Sequence, residues 1–248
     1  MRIRFLGTTG YHPTETRHTC CIVLPDQNIV FDAGTGFFRL REHIQPGRLD
    51  ILLSHYHLDH VCGLQYLIDI VHEKEIKEVH LWGPPGLDQI ERLFQPPFFP
   101  LPLDQFPVKV KLHTIDKKKS FSFRGHRVKT QLFPHDDTGS LGYRLHTDGK
   151  TVVYITDTIA DPESFELARN ADLLLHECYF RNSMEERALE TGHSYSSLVG
   201  RFAAAAKASR LALIHINPLD PEPEFCLREV MEHFQGAFLV IDNQEIDL

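Results

Sequence analysis

Short apolar runs broken by Gly, Pro or Asp dominate the first part of the chain, at residues 2–6, 20–24, 28–31 and 49–53. Runs this short, rich in β-branched and apolar side chains, predict strands. Over residues 63–71 the period changes. Leu64, Leu67, Ile68 and Val71 fall at i, i+3, i+4 and i+7, one face of a helix. Residues 79–82 predict a strand, and residues 87–94 a helix opened by Pro84-Pro85. Residues 95–107 then hold five prolines among Phe and Leu, which excludes a regular element and predicts a loop packed on the body near a pocket. The second half repeats the alternation. Strands are predicted at 128–133, 141–146, 151–155, 171–175, 211–214 and 238–241, and helices at 164–169, 194–208 and 223–234. Asp148-Gly149 marks a hairpin turn between two of these strands. Mixed strands with helices between them predict two sheets with helices outside, in a single domain over residues 1–248.

Composition changes this picture little. At 42% hydrophobic and 24% charged residues the make-up is ordinary for a globular chain, which excludes disorder and fibrous repeats. No apolar run approaches the ~18 residues of a membrane span. Residues 1–7 show a short strand pattern stopped at Gly7, without the long apolar core of a secretory signal. A net charge of −8 argues against nucleic acid as the default partner. The five cysteines make neither a CxxC nor a disulfide framework, so a reducing, cytoplasmic setting is expected. The sixteen histidines stand out and direct attention to metal ligands.

Ser54-His55-Tyr56-His57-Leu58-Asp59-His60 directly follows the strand predicted at 49–53. Alternate residues of an extended segment point the same way, so His55 and His57 can grip one ion together. Asp59 and His60, where the chain turns toward the helix, can grip a second. A mixed nitrogen and oxygen set suits Zn²⁺, and also Mn²⁺ or Fe. A solvated His-rich loop would explain the motif alone. Three more metal-type residues, however, sit just after apolar strands: His135, Asp157 and His215. Strand C-termini converge at one edge of a sheet, where open α/β sites form. Asp32 ends another strand and is expected to hydrogen-bond a ligand histidine and fix its tautomer, with a turn cap as the alternative. Tyr56 and Tyr143 are candidates for either pocket or core. His12 and His18 are candidates for pocket or surface loop. His176 and Cys178 are expected in the core.

The motif H-x-H-x-D-H, followed by His135, Asp157 and His215, resembles the metallo-β-lactamase superfamily at its five motif positions, in order, over nearly the whole chain. The resemblance implies an αββα sandwich, two β-sheets packed face to face with helices outside. It also implies two divalent metal ions, with His55, His57 and His135 on one, Asp59, His60 and His215 on the other, and Asp157 bridging. Phe5-Leu6-Gly7-Thr8 with Pro13-Thr14-Glu15-Thr16-Arg17 looks like the N-terminal signature of ribonuclease Z and its relatives. Phe31-Asp32-Ala33-Gly34-Thr35-Gly36 and Gly142-Tyr143-Arg144 are similar to segments of the same branch. His176-Glu177-Cys178 looks like its His-Glu-Ala-Thr segment, and Gly192-His193-Ser194 like its His-Ser-Thr segment. Carried over, Glu177 and His193 form a catalytic pair beside the metals.

One interval departs from ribonuclease Z. That family carries a long Gly- and Lys-rich arm that clamps tRNA between the second and third metal motifs. Residues 83–107 fill the interval here and hold a single basic residue, Arg92. The best local basic run is Lys117-Lys118-Lys119. Armless relatives include phosphodiesterases of small cyclic or nucleotide phosphodiesters, and that activity is the leading expectation. Two metals lower the pKa of a shared water toward ~7, and the hydroxide attacks phosphorus. Asp59 takes the water's proton, and His193, oriented by Glu177, protonates the leaving oxygen. The alternatives are tRNA 3′-end processing and lactone, thioester or β-lactam hydrolysis. A homodimer is suggested by analogy with ribonuclease Z alone.

Overall fold

The N-terminal apolar runs form β1 (Arg2–Gly7), β2 (Cys21–Leu24), β3 (Ile29–Phe31) and β4 (Gly47–Leu52) in the computed structural model. It describes residues 1–116, 119–161 and 165–248. Lys117 and Lys118, and the start of the helix expected at Ser164, lie outside the described residues. β1, β2 and β3 pair antiparallel, while β3 and β4 pair parallel. β5 (Ile76–Gly83) and β6 (Lys109–Thr114) extend the sheet in parallel, and β14 (Glu245–Asp247) closes its other edge against β1.

A second sheet joins β7 (Ser120–Phe123), β8 (His126–Phe133), β9 (Ser140–Thr147), β10 (Lys150–Ile155), β11 (Leu173–Glu177), β12 (Leu211–Ile214) and β13 (Ala237–Leu239). The first four are antiparallel and the last four parallel, with β10 shared. Asp148 and Gly149 turn β9 into β10 with φ of 51° and 74°, the two left-handed conformations that a tight hairpin needs.

The near-continuous apolar runs follow from burial on both faces. On β10, Val152 and Tyr154 point between the sheets while Val153 and Ile155 point outward. On β2, Ile22 and Leu24 face inward and Cys21 and Val23 outward. The outward rows are covered by α1 (Leu58–Val61) and α2 (Leu67–Glu73) on one side, and by α4 (Ser196–Ala206) and α5 (Glu224–Met231) on the other. The layer order is therefore αββα, as the resemblance implies.

Several elements differ from expectation. The helix expected at 63–71 is α1, a 3₁₀ stretch over Cys62–Tyr66, and α2. Gly63 sits at the join, where an added Cβ would lie 2.1 Å from the Gly34 carbonyl oxygen. The apolar spacing is real, but this close approach sets the local backbone. Leu87–Phe94 is also 3₁₀. β6, β7, β14 and α3 (Glu185–Thr191) have weak sequence signals. The first three are short or edge strands in which Lys, Ser, Asp or Glu alternates with apolar residues, and α3 buries only Ala188. The Pro/Phe segment packs Phe99, Leu101, Leu103 and Phe106 on the outer core of the first sheet.

Candidate metal centre

β4 delivers His55 and His57 in an extended stretch, and α1 then presents Asp59 and His60. His60 is fully buried, and its Nδ1 lies 2.7 Å from Asp32 Oδ2. The same carboxylate accepts hydrogen bonds from the Ser54 backbone N–H (2.7 Å), the Ser54 hydroxyl (2.8 Å) and the Tyr154 hydroxyl (2.6 Å). With Nδ1 committed to Asp32, the His60 Nε2 faces inward. It stands 3.1 Å from Asp157 Oδ2, 3.3 Å from Asp59 Oδ2 and 3.3 Å from His215 Nε2.

Asp157 follows β10 and His215 follows β12. Asp157 Oδ1 is 3.3 Å from His215 Nε2 and 3.9 Å from His135 Nε2, so one carboxylate touches both histidine groups. Donor atoms of His55, His57 and His135 gather within 4.8 Å, and so do those of Asp59, His60 and His215. All seven expected ligand positions therefore lie at one edge, where strands of both sheets end. Asp32, Asp157 and His215 hold φ of 54°, 49° and 49°. The left-handed region costs a residue with a Cβ about 1–2 kcal/mol, and such strain concentrates at functional sites. Gly10 lies against His215 closely enough that a Cβ would fall 2.3 Å from its ring.

Glu177, at the end of β11, is fully buried. It accepts the Thr158 N–H (2.5 Å) and the Ser194 N–H (3.2 Å), and its Oε2 lies 3.1 Å from His193 Nδ1. Burial pushes the His193 pKa down, but Glu177, Asp157 and Asp59 outweigh it and raise it to about 9. His193 stacks on Tyr179 at 4.7 Å between ring centroids. Burial, then the charge of His60, pushes His55 well below the ordinary imidazole value, and burial also lowers His135. Both shifts favour the neutral ring, the form that offers a lone pair to a metal.

The cleft over this cluster encloses about 740 Å³, within the ~300–1,000 Å³ of small-molecule sites. Tyr11, Leu58, Asp136, Tyr179 and Thr191 line it beside the histidines. Sequence reading missed Asp136. Its Oδ2 is 3.0 Å from His57 Nε2, and its Oδ1 takes the N–H groups of Thr138 and Gly139. The signal was its place directly after His135. The Tyr11 N–H donates to Asp59 Oδ2 at 2.7 Å. Tyr56 and Tyr143 are not in the cleft. The Tyr143 hydroxyl donates to the Leu53 carbonyl at 2.6 Å, and that of Tyr56 to the Pro84 carbonyl. His12 and His18 bond to Pro13 and Thr35 in the N-terminal loop, while His176 and Cys178 are buried in the core.

The donor set fits divalent metal. His55 Nε2 and both ring nitrogens of His135 are buried without a hydrogen-bond partner, a cost that proteins rarely leave uncompensated. The facing Nε2 atoms of His60 and His215 cannot both carry a proton across 3.3 Å. Lone pairs and carboxylate oxygens converging in this way are what a cation requires.

Residues 27–216 match the model of the beta-lactamase superfamily domain. The ribonuclease Z of Methanosarcina acetivorans is 25% identical over 307 aligned positions, covering 100% of this chain and 98% of the relative. An alignment longer than the chain means that this relative carries insertions absent here. Among solved structures, a metallo-beta-lactamase fold protein from Bacillus subtilis superposes with a TM-score of 0.82 at 19% identity, covering 99% of this chain and 98% of the other. The short form of human tRNase Z superposes with a TM-score of 0.79 at 22% identity, covering 100% and 99%. The chain belongs to the beta-lactamase superfamily. It has the metallo-β-lactamase fold, which implies divalent metal ions, and is a hydrolase similar along its whole length to ribonuclease Z relatives. No helix among the described residues is long and apolar enough to cross a membrane.

Proposed function

We propose that this member of the beta-lactamase superfamily hydrolyses phosphodiester bonds in a small nucleotide or cyclic phosphodiester. The observation that carries the reading is the Glu177–His193 pair at the wall of the cluster. Lactone, thioester and β-lactam hydrolysis need the metals but not this pair. His55, His57 and His135 would hold one ion, Asp59, His60 and His215 the other, with Asp157 between them. Bound there, two divalent ions would supply Lewis acidity and a water acidified toward pKa ~7. Zn²⁺ suits the mixed donors best, and Mn²⁺ or Fe is compatible with them. Glu177 fixes the His193 Nδ1–H and stabilises the charged ring, which leaves Nε2 to protonate the departing alkoxide. Asp59 accepts the proton of the attacking water.

The cleft volume supports a small substrate, as does the single cation, Arg92, across residues 83–107. A second reading, tRNA 3′-end processing, is favoured by relatives named ribonuclease Z that align over the whole chain. Both readings are tested on one sample, with metal content measured beside turnover of bis(p-nitrophenyl) phosphate. About two ions per chain are expected, with turnover lost in Asp157→Ala. Small cyclic phosphodiesters and a tRNA precursor are then compared, and sedimentation reports whether the chain is a homodimer. Two ions without phosphodiester turnover would shift the activity to lactones and thioesters.

A further inference from the structure

α4 and α5 cover the outer face of the second sheet over β10 to β13, but leave part of β8 and β9 open. Two grooves cross the open part, lined by Arg127, Lys129, Arg144, His146 and Gln131 among others. The register places Lys129 directly opposite Arg144, and Arg127 opposite His146. Like charges facing each other across an antiparallel pair destabilise it. The nearby carboxylates are engaged by other cations, Glu166 on the groove wall by Arg169 and Asp172 by Lys150, and among the facing cations Arg144 also feels the charge of Asp172. Arg144 is held by the Leu167 and Arg169 carbonyls. Among the described residues, Arg127 and Lys129 are exposed and make no ion pair.

The chain carries a net charge of −8, so an uncompensated cationic row on this face is not the by-product of a basic surface. Alternate cations on a strand stand about 6.8 Å apart, and neighbouring strands about 4.8 Å apart. A ligand matching them is a repeated anion. Among the described residues, no Phe, Tyr or Trp lines the grooves to stack unpaired bases, and no exposed apolar side chain lines them to enter a lipid layer. Ser120 and Gln131 add the hydroxyl and amide donors that commonly meet phosphate oxygens. We propose that this face binds the phosphate backbone of a double-stranded nucleic acid, without reading its bases. The face is independent of the catalytic reading, because Lys129 lies six residues before His135, roughly 20 Å along the strand direction.

The test is fluorescence anisotropy of a labelled 20-base-pair RNA duplex with the full chain, across KCl concentrations. Three phosphate contacts predict an affinity loss of about 40-fold between 50 and 200 mM KCl. The double variant Arg127→Ser/Lys129→Ser is expected to bind at least 10-fold more weakly at 50 mM KCl, with a log–log salt slope shallower by about 2. Its turnover of bis(p-nitrophenyl) phosphate should match that of the unaltered chain. Lys129→Glu sets a carboxylate opposite Arg144, and should abolish binding while leaving Tm at least as high. Absence of duplex binding at 50 mM KCl, or an unchanged affinity and slope in the double variant, overturns the proposal. So does equal affinity for poly-L-glutamate, which would make the partner an acidic protein.

Discussion

His193 Nδ1 lies 3.1 Å from Oε2 of Glu177, a carboxylate with no exposure to solvent and two backbone N–H groups already bound. The pair is thus rigid at the carboxylate and free at the imidazole Nε2. His193→Ala is expected to lower kcat for a poor leaving group by about 10²–10⁴-fold, the range for losing a general acid. It should leave metal content and KM little changed. With p-nitrophenolate, which leaves without a proton, the loss should be much smaller. Equal losses with both leaving groups would refute the acid role.

The same pair sets a pH dependence. Glu177, Asp157 and Asp59 raise the His193 pKa to about 9 against burial, and nearby divalent cations push it back down. A general acid acts in its protonated form, so with His193 in that proposed role kcat falls as pH rises through its pKa. The alkaline limb for alkyl leaving groups should therefore sit at or below about 9. In His193→Ala that limb should vanish, which pH–rate profiles of both proteins would show.

Asp32 supports Ser54, Tyr154 and His60 from full burial. Asp32→Ala leaves four buried donors on three residues unmatched and is expected to cost about 3–5 kcal/mol in denaturant unfolding. Asp32→Asn keeps the shape but weakens the hold on His60 Nδ1. It should raise the dissociation constant for metal about 10–100-fold in chelator competition.

Asp136 holds His57 Nε2 from the rim of the cleft. Asp136→Asn should weaken metal binding about 10-fold, with Tm of the metal-free protein nearly unchanged because the side chain is partly exposed. A large fall in the metal-free Tm would mean that the Asp136 turn matters for folding rather than for His57.

Outside the cleft lining, Arg181 grips Asp220 with two nitrogens. Burial pushes the Asp220 pKa up, but Arg181 and the Glu222 N–H outweigh it and hold it below the usual carboxylate value of 3.8. A carboxyl depressed in the folded state stabilises at pH above that value, and the contribution is lost as pH falls through the folded pKa. Arg181 is about a quarter exposed, so solvent screening limits the pair to about 1 kcal/mol. The Tm gap between the parent chain and Asp220→Asn should be constant from pH 5 to 7 and close at lower pH. A gap that stays constant down to pH 2 would rule out this ion pair as its source.

The layer order and the seven positions around the centre were legible because they depend on local rules. Strands buried on both faces must be apolar throughout, and a residue placed just past a strand end must reach the sheet edge. Hence His55, His57, Asp59 and His60 could be read from spacing alone, and His135, Asp157 and His215 from their place after apolar runs. Edge strands such as β6 escaped because one face meets water, so lysines interrupt the apolar pattern.

Tertiary structure decided what no spacing encodes. Asp136 meets His57 across 79 positions of sequence, and Tyr179 stacks on His193 because two loops happen to converge. Lys129 faces Arg144 only through the register of β8 and β9. Sequence determines which residues are apolar and which can bond metal. Which of the polar residues face one another depends on strand pairing and loop closure, and those are settled by the packing of the whole chain.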